Sequence, residues 1–164
     1  MIREIQGNLL QQPVDIIAHQ TNCKGVMGAG IAKQIKEQLL PQDQYQRYVD
    51  ACNRDGAKLL GQAQILLLPN GKVVSNCFGE NIPTGTGLDT DYQALMHALA
   101  QTRNYARKYN LSTGVPGLMG CGLAGGDWNI VRDMLYKLWI PYPDLELIIC
   151  YYDLQEYLKW NPVN

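Results

Sequence analysis

The residues of this chain that could do chemistry gather in two glycine-rich stretches. The first reads Asn22-Cys23-Lys24-Gly25-Val26-Met27-Gly28-Ala29-Gly30-Ile31-Ala32. The second reads Gly120-Cys121-Gly122-Leu123-Ala124-Gly125-Gly126. Glycine lets the backbone approach a ligand closely and adopt positive φ. Successive N–H groups backed by a helix N-terminus then form a site for a phosphate or diphosphate. The bland reading is a pair of tight strand-to-helix turns. Two loops of the same kind in one chain weigh toward phosphate. Neither matches a better-known pattern: there is no GxxxxGK[ST], and Gly28-Ala29-Gly30 lacks the third glycine of GxGxxG because position 33 is Lys.

Few side chains near these loops can move a proton. His19 lies three residues before Asn22, and a histidine transfers protons near neutral pH; the competing reading is a buried histidine that holds the first loop. Asp127 follows Gly125-Gly126 and could activate a water or protonate a leaving group, or simply cap the helix that begins there. Cys121 invites a thiol-nucleophile reading, but cysteine phosphatases need an arginine-bearing phosphate loop and this loop has no arginine. Lys24 reads as a solvated lysine or a cation beside a phosphate. His97 reads as structural. Phe78, the only phenylalanine, is either a strand-end core residue or the start of a covering loop.

The elements that must position these residues alternate between strand-like and helix-like patterns. Ile2–Ile5 and Val14–His19 read as strands, the second apolar and rich in β-branched residues. A helix is expected over Ile31–Leu39, with Ile31, Ile35 and Leu39 on one face, and another over Pro41–Asn53. Gln64–Leu68 and Lys72–Phe78 read as strands joined by the hairpin signal Pro69-Asn70-Gly71. Gly79–Leu88 reads as a long loop. Thr90-Asp91-Tyr92-Gln93 has the form of a capping box opening a helix to Tyr109. Strand Thr113–Met119, helix Asp127–Trp139, strand Leu145–Tyr151 and a short helix Leu154–Lys159 complete the chain. This alternation indicates a layered α/β domain on a mixed or mostly parallel sheet, with ligands at the carboxyl ends of its strands.

The chain has 164 residues, enough for a single domain over 1–164 with a core that needs no staple. Hydrophobic residues are 46% and charged residues 18% of it, an ordinary globular balance. Fourteen Lys and Arg against 15 Asp and Glu leave a net charge of -1, so a duplex-coating nucleic-acid protein is not expected. No apolar run approaches a membrane span, and Met1–Ile5 does not read as a signal peptide. The five cysteines, Cys23, Cys52, Cys77, Cys121 and Cys150, show no CxxC spacing. They support neither a disulfide framework nor a metal site, and reduced thiols point to a cytoplasmic protein. No cofactor is expected, and the oligomeric state is left open.

Four segments together resemble the macrodomain family, which binds ADP-ribose: Gly7-Asn8-Leu9, Val14–Asn22, Met27–Ala32 and Gly120–Trp128. The resemblance runs over nearly the whole chain and is closest to the branch with ADP-ribose-1″-phosphate phosphatases and ADP-ribosyl-glutamate hydrolases. It implies a three-layer α/β/α sandwich around a mixed, mostly parallel sheet. It also implies that Asn8 contacts the adenine amino group, where Asp is commoner, with a backbone contact from Leu9. Asn22 would hydrogen-bond the distal ribose. Gly28, Ala29, Gly30 and Ile31, with Gly120, Cys121, Gly122, Leu123 and Ala124, would wrap the diphosphate and distal ribose. Tyr152 and Leu154 would flank the adenosine, and the segment from Phe78 would cover the distal ribose. His19 has a counterpart in the yeast-type phosphatase branch. Members that cleave ADP-ribose from glutamate use a lysine after the strand preceding the long loop and an aspartate after Gly-Cys-Gly-Leu. Here those positions fall in Phe78-Gly79-Glu80 and on Ala124.

The resemblance therefore implies a protein that takes ADP-ribose or a 1″-substituted derivative and hydrolyses the 1″-linked group, a phosphate monoester first, with His19 and Asp127 as catalysts. Two alternatives remain open: a non-catalytic reader of ADP-ribose or of ADP-ribosylated partners, and a hydrolase of ADP-ribosylated protein. A macrodomain for another nucleotide, such as an acetylated or cyclic derivative, is a further reading.

Overall fold

The computed structural model describes residues 1–164. Its strands are β1 (Ile2–Gln6), β2 (Ile16–Asn22), β3 (Ala63–Leu67), β4 (Val73–Glu80), β5 (Thr113–Pro116) and β6 (Leu147–Tyr151). Its helices are α1 (Gly30–Gln38), α2 (Gln42–Asp55), α3 (Tyr92–Tyr109), α4 (Trp128–Trp139) and α5 (Leu154–Trp160). The strands form one sheet in the order β1-β6-β5-β2-β4-β3. All neighbours are parallel except the β3–β4 hairpin. Five strands thus end on the same edge of the sheet.

Side-chain alternation along β2 sorts the two layers. Ile16 and Ala18 face a core shared with Leu95 and Leu99 of α3 and Val131, Leu135 and Trp139 of α4. Ile17 faces the opposite core with Ile35 of α1 and Tyr48 and Cys52 of α2. Both faces of the sheet are covered, which is why its strands read as nearly continuous apolar runs. The result is the expected α/β/α sandwich.

Local chemistry moves several expected boundaries. The cap of α3 is Asp91, whose carboxylate accepts from the Ala94 N–H at 3.0 Å, not Thr90. Thr90 is buried and its hydroxyl bonds elsewhere. β5 stops at Pro116 rather than Met119. Gly117 lies against the Tyr151 ring, where a Cβ would collide, and Leu118 turns to φ 65°. β4 runs to Glu80 because Glu80 forms an antiparallel bridge with Thr90. β6 begins at Leu147; Leu145 is held in a turn by its N–H bond to the Tyr142 carbonyl.

Candidate functional site: a cavity along the strand ends

The carboxyl ends of the parallel strands frame a cavity of about 590 Å³. Sheet order gives it a spatial order. Gly7, Asn8 and Leu9 follow β1 at one end; Cys150 belongs to the neighbouring β6 and Tyr152 directly follows it. Pro116 to Gly120 leave β5 in the middle. Gln20, Thr21 and Asn22 end β2, and Glu80 ends β4 at the far side. The two glycine loops bracket the middle.

The first loop is pinned at its base. Asn22 Oδ1 accepts from the Lys24 N–H at 3.0 Å and from the Tyr48 hydroxyl at 3.0 Å, while its Nδ2 donates to the Val26 carbonyl at 2.7 Å. Met27 is buried in the α1/α2 core. Between these anchors and α1, Gly28, Ala29 and Gly30 are exposed and line the cavity. Gly30 takes φ 57°, which favours glycine. The N-cap of α1, Ala29, offers no side-chain bond. The N–H groups of Gly28 through Ala32 donate to no protein acceptor. Orphan donors at a helix start that lines a cavity are a ready anion site.

The second loop is held by the segment entering α3. Ala124 O accepts from the Asp89 and Thr90 N–H groups at 2.8 and 3.1 Å. Gly120 O accepts from the Thr90 hydroxyl at 2.7 Å, and that hydroxyl accepts from Gln20 Nε2 at 3.0 Å. The N–H groups of Gly122, Leu123 and Ala124 are left without protein acceptors. Gly120, Gly122, Leu123 and Ala124 line the cavity.

The expected catalysts lie elsewhere. His19 is fully buried on the face covered by α1 and α2 and is not among the cavity residues. Its Nε2 donates to Asn76 Oδ1 at 2.8 Å, since the Asn76 amide is itself donating to Gln64. Burial pushes His19 down to about 4, so the ring is neutral. This is a structural histidine, not a proton donor at the cavity. Asp127 is exposed and caps α4, accepting from the Asn129 N–H at 2.9 Å; it too lies outside the cavity lining. Cys121 points its thiol at the Met119 carbonyl at 3.3 Å, and burial with the Asp127 charge pushes it up to about 12. It stays protonated and is no nucleophile.

Two binding expectations also move. Phe78 is a core residue stacked on Tyr48, with ring centroids 6.0 Å apart. Leu154, at the start of α5, is exposed but outside the lining. Asn8, Leu9, Asn22, Ile31 and Tyr152 do line the cavity. Asn8 also caps the short turn Leu9–Gln11, accepting from the Leu10 N–H. Tyr152 is 77% exposed, an open aromatic face at the β1 end.

The sequence does not single out Gln20, Thr21, Thr84 and Asp89, and it offers Glu80 as the place of a missing lysine and part of the segment covering the distal ribose. All five line the cavity. Gln20 Oε1 and Thr21 Oγ1 are buried with no protein partner, which in a folded protein asks for a ligand or water. A polar Gln-Thr-Asn ending to an otherwise apolar strand was the available signal. No group of three or more His, Cys, Asp or Glu is placed to hold a metal, and no helix is long and apolar enough to cross a membrane.

The chain is similar in sequence and fold to known proteins. A DNA ADP-ribosyl glycohydrolase of Thermus aquaticus is 36% identical over 84 residues, covering 51% of this chain and 22% of that protein. The ADP-ribose 1″-phosphate phosphatase of Candida glabrata is 29% identical over 176 residues, covering 93% of each chain. The macrodomain of Mycobacterium tuberculosis DarG superposes with a TM-score of 0.77 at 26% identity, over 93% of this chain and 98% of that one. This chain spans only 22% and 42% of the length of the DNA ADP-ribosyl glycohydrolases of Thermus aquaticus and Mycobacterium tuberculosis. The model of the macro domain matches residues 18–135, most of the sheet and both glycine loops, and the chain belongs to the macro domain family.

Proposed function

We propose that this protein binds ADP-ribose along the strand ends and hydrolyses a bond at C1″ of its distal ribose. The observation that carries this reading is the order of chemistry across the cavity. An open aromatic and Asn8 stand at the β1 end, two rows of orphan N–H groups in the middle, and polar side chains at the β4 end. An adenosine, a diphosphate and a second ribose match that order. The relatives' named activities support it, since both act on groups joined to ADP-ribose.

In this orientation Tyr152 offers stacking area to the adenine, and the loop N–H groups neutralise the diphosphate without a cation. Gln20, Thr21 and Asn22 face the distal ribose hydroxyls. Calorimetry tests the ligand: ADP-ribose should bind at least about tenfold tighter than AMP, a gap of about 1.4 kcal/mol, because AMP leaves the β4 end empty. Equal affinities would remove the reading.

One observation favours a second reading, a binding module without turnover. The cavity is lined by no His, Lys or Arg, so the usual movers of protons and carriers of positive charge are missing. Tight ADP-ribose binding with no hydrolysis of either ADP-ribose 1″-phosphate or ADP-ribosylated macromolecules would select it.

A further inference from the structure

A buried carboxylate stands behind the cavity rather than in it. Glu4 lies in the middle of the edge strand β1, and its side chain is 4% exposed. Its Oε2 accepts from Arg132 Nη2 at 2.5 Å and from the Tyr136 hydroxyl at 2.6 Å, both on α4. Its Oε1 accepts from the Tyr151 hydroxyl at 2.5 Å and, at a longer 3.4 Å, from Asn161 Nδ2 beyond α5. Arg132 Nε reaches both oxygens, at 3.2 and 3.0 Å. Burial opposes the charge, and the bonds from Arg132, Tyr136 and Tyr151 outweigh it, so the carboxyl is held below its usual range. A buried charge is costly to install, and the ligand reading above makes no use of this one.

Tyr151 carries this order to the cavity. Neither Glu4 nor Tyr151 lines it, yet three segments of its wall meet at Tyr151. The Tyr151 carbonyl accepts from the Gly7 N–H at 2.8 Å, at the start of the Asn8 segment. The ring lies against Gly117, where a Cβ would collide with it. The hydroxyl accepts from the Trp128 indole N–H at 3.0 Å, where the second glycine loop passes into α4. Leu118, next to Gly117, lines the cavity at φ 65°. Leucine holds that left-handed conformation only where its surroundings impose it.

We propose that Glu4 is a positioning residue for the ADP-ribose site. It fixes Tyr151, and Tyr151 holds Gly7, the Gly117-Leu118 turn and the start of α4 in the arrangement that receives the ligand. The inference rests on ADP-ribose lying in the cavity as described above. It places a determinant of affinity on a side chain that no ligand touches. Wall segments fixed in advance lose less freedom on binding. A ring packed on glycine backbone leaves no slack, so a shift of the ring passes to Gly117. Tyr136 supplies the contrast. Its hydroxyl donates to the same carboxylate, but to Oε2, which Arg132 also holds, and Tyr136 is not in the lining. Losing that hydroxyl leaves the bond from Tyr151 to Oε1 in place.

The test compares three variants by calorimetry, each well below its melting temperature. Tyr151→Phe keeps the ring and deletes its bond to Glu4. Tyr136→Phe deletes one hydroxyl from the same carboxylate. Glu4→Asp keeps a charge beside Arg132 but draws it back from Tyr151. Tyr136→Phe should bind ADP-ribose within about twofold of wild type, and Tyr151→Phe and Glu4→Asp at least about fivefold weaker. The double variant Glu4→Asp with Tyr151→Phe should bind within about twofold of the weaker single variant, because both changes break one linkage. Should Glu4→Asp fail to fold, the two tyrosine variants decide alone. Equal affinities for Tyr151→Phe and Tyr136→Phe, or losses that multiply in the double variant, would overturn the proposal. Hydrogen exchange in the ligand-free protein separates its failure from that of the ligand reading. The Gly7 and Gly117 N–H groups donate to the Tyr151 and Cys150 carbonyls. Both should exchange at least about fivefold faster in Tyr151→Phe than in Tyr136→Phe. A wild type that does not bind ADP-ribose removes the ligand reading; the exchange difference would still show Tyr151 holding the wall, and equal exchange would overturn that as well.

Discussion

The hydroxyl of Thr90 donates to the carbonyl oxygen of Gly120 at 2.7 Å. This bond helps join the segment entering α3 to the loop leaving β5, and Gln20 of β2 completes the clamp by donating to the same hydroxyl. Three elements distant in sequence are tied by a single buried oxygen. Thr90→Val keeps the shape and removes the oxygen, leaving the Gln20 amide without a partner and the Gly120 carbonyl with only the Gly126 N–H. Urea denaturation should show a loss of about 1–3 kcal/mol. ADP-ribose affinity should fall with it, because the loop carrying the Gly122 to Ala124 N–H groups loses one of its anchors.

The first glycine loop separates binding from folding. A Cβ at Gly28 would meet only the Val26 side chain at an ordinary 3.6 Å, so Gly28→Val should fold with an unchanged melting temperature. Its side chain would occupy the space before the loop N–H groups. Calorimetry should show ADP-ribose affinity reduced at least about a hundredfold, a cost near 3 kcal/mol. Gly30→Glu should also abolish binding, with an added strain of about 1–2 kcal/mol because φ is 57° there. Normal binding by a folded Gly28→Val protein would make the loop a structural turn.

The second loop is packed against the long loop more tightly than any side chain allows. A Cβ at Gly125 would collide with the carbonyl oxygen of Gly87, at a backbone φ of 74°. Gly125→Ala should therefore push residues 84–89 away from the cavity. Thermal melts should show destabilisation of about 1–3 kcal/mol. Hydrogen exchange should report faster amides at Asp89 and Thr90, whose N–H groups bond to Ala124.

His19 should be visible in stability against pH. Its folded pKa is about 4, held down by burial, and an unfolded histidine titrates near 6.5. Between those values the unfolded state binds a proton that the folded state does not. Stability is therefore full above about pH 6.5 and is lost as pH falls toward 4, by on the order of 1 kcal/mol per pH unit. His19→Gln retains an amide to donate to Asn76 and cannot titrate. Its melting temperature, followed from pH 7 to 4, should decline less steeply than that of wild type. Parallel curves would mean that His19 carries its proton in the folded state.

Much of this was open to reading along the chain. Strand and helix periodicity, the Pro69-Asn70-Gly71 hairpin and the two glycine loops are local signals, written in residues close together in sequence. They set the elements, the layers and the middle of the cavity. The proton-moving groups were not legible in that way. Whether His19 faces the cavity depends on which side of β2 it takes and on what covers that side. Its register partner Asn76 and the α1/α2 layer settle that, 57 residues away in the case of Asn76. Asp127 reads equally as a catalyst or a cap, and only the placement of the Asn129 N–H makes it a cap. Glu80 reads along the chain as the place of a missing lysine at the start of a covering loop. Its place at the cavity beside Asp89 depends on the Glu80–Thr90 bridge, which joins segments distant in sequence. Periodicity reports the environment of each residue within its own element. The electrostatics of a site belong to elements that meet only when the chain has folded, and that meeting decided the chemistry here.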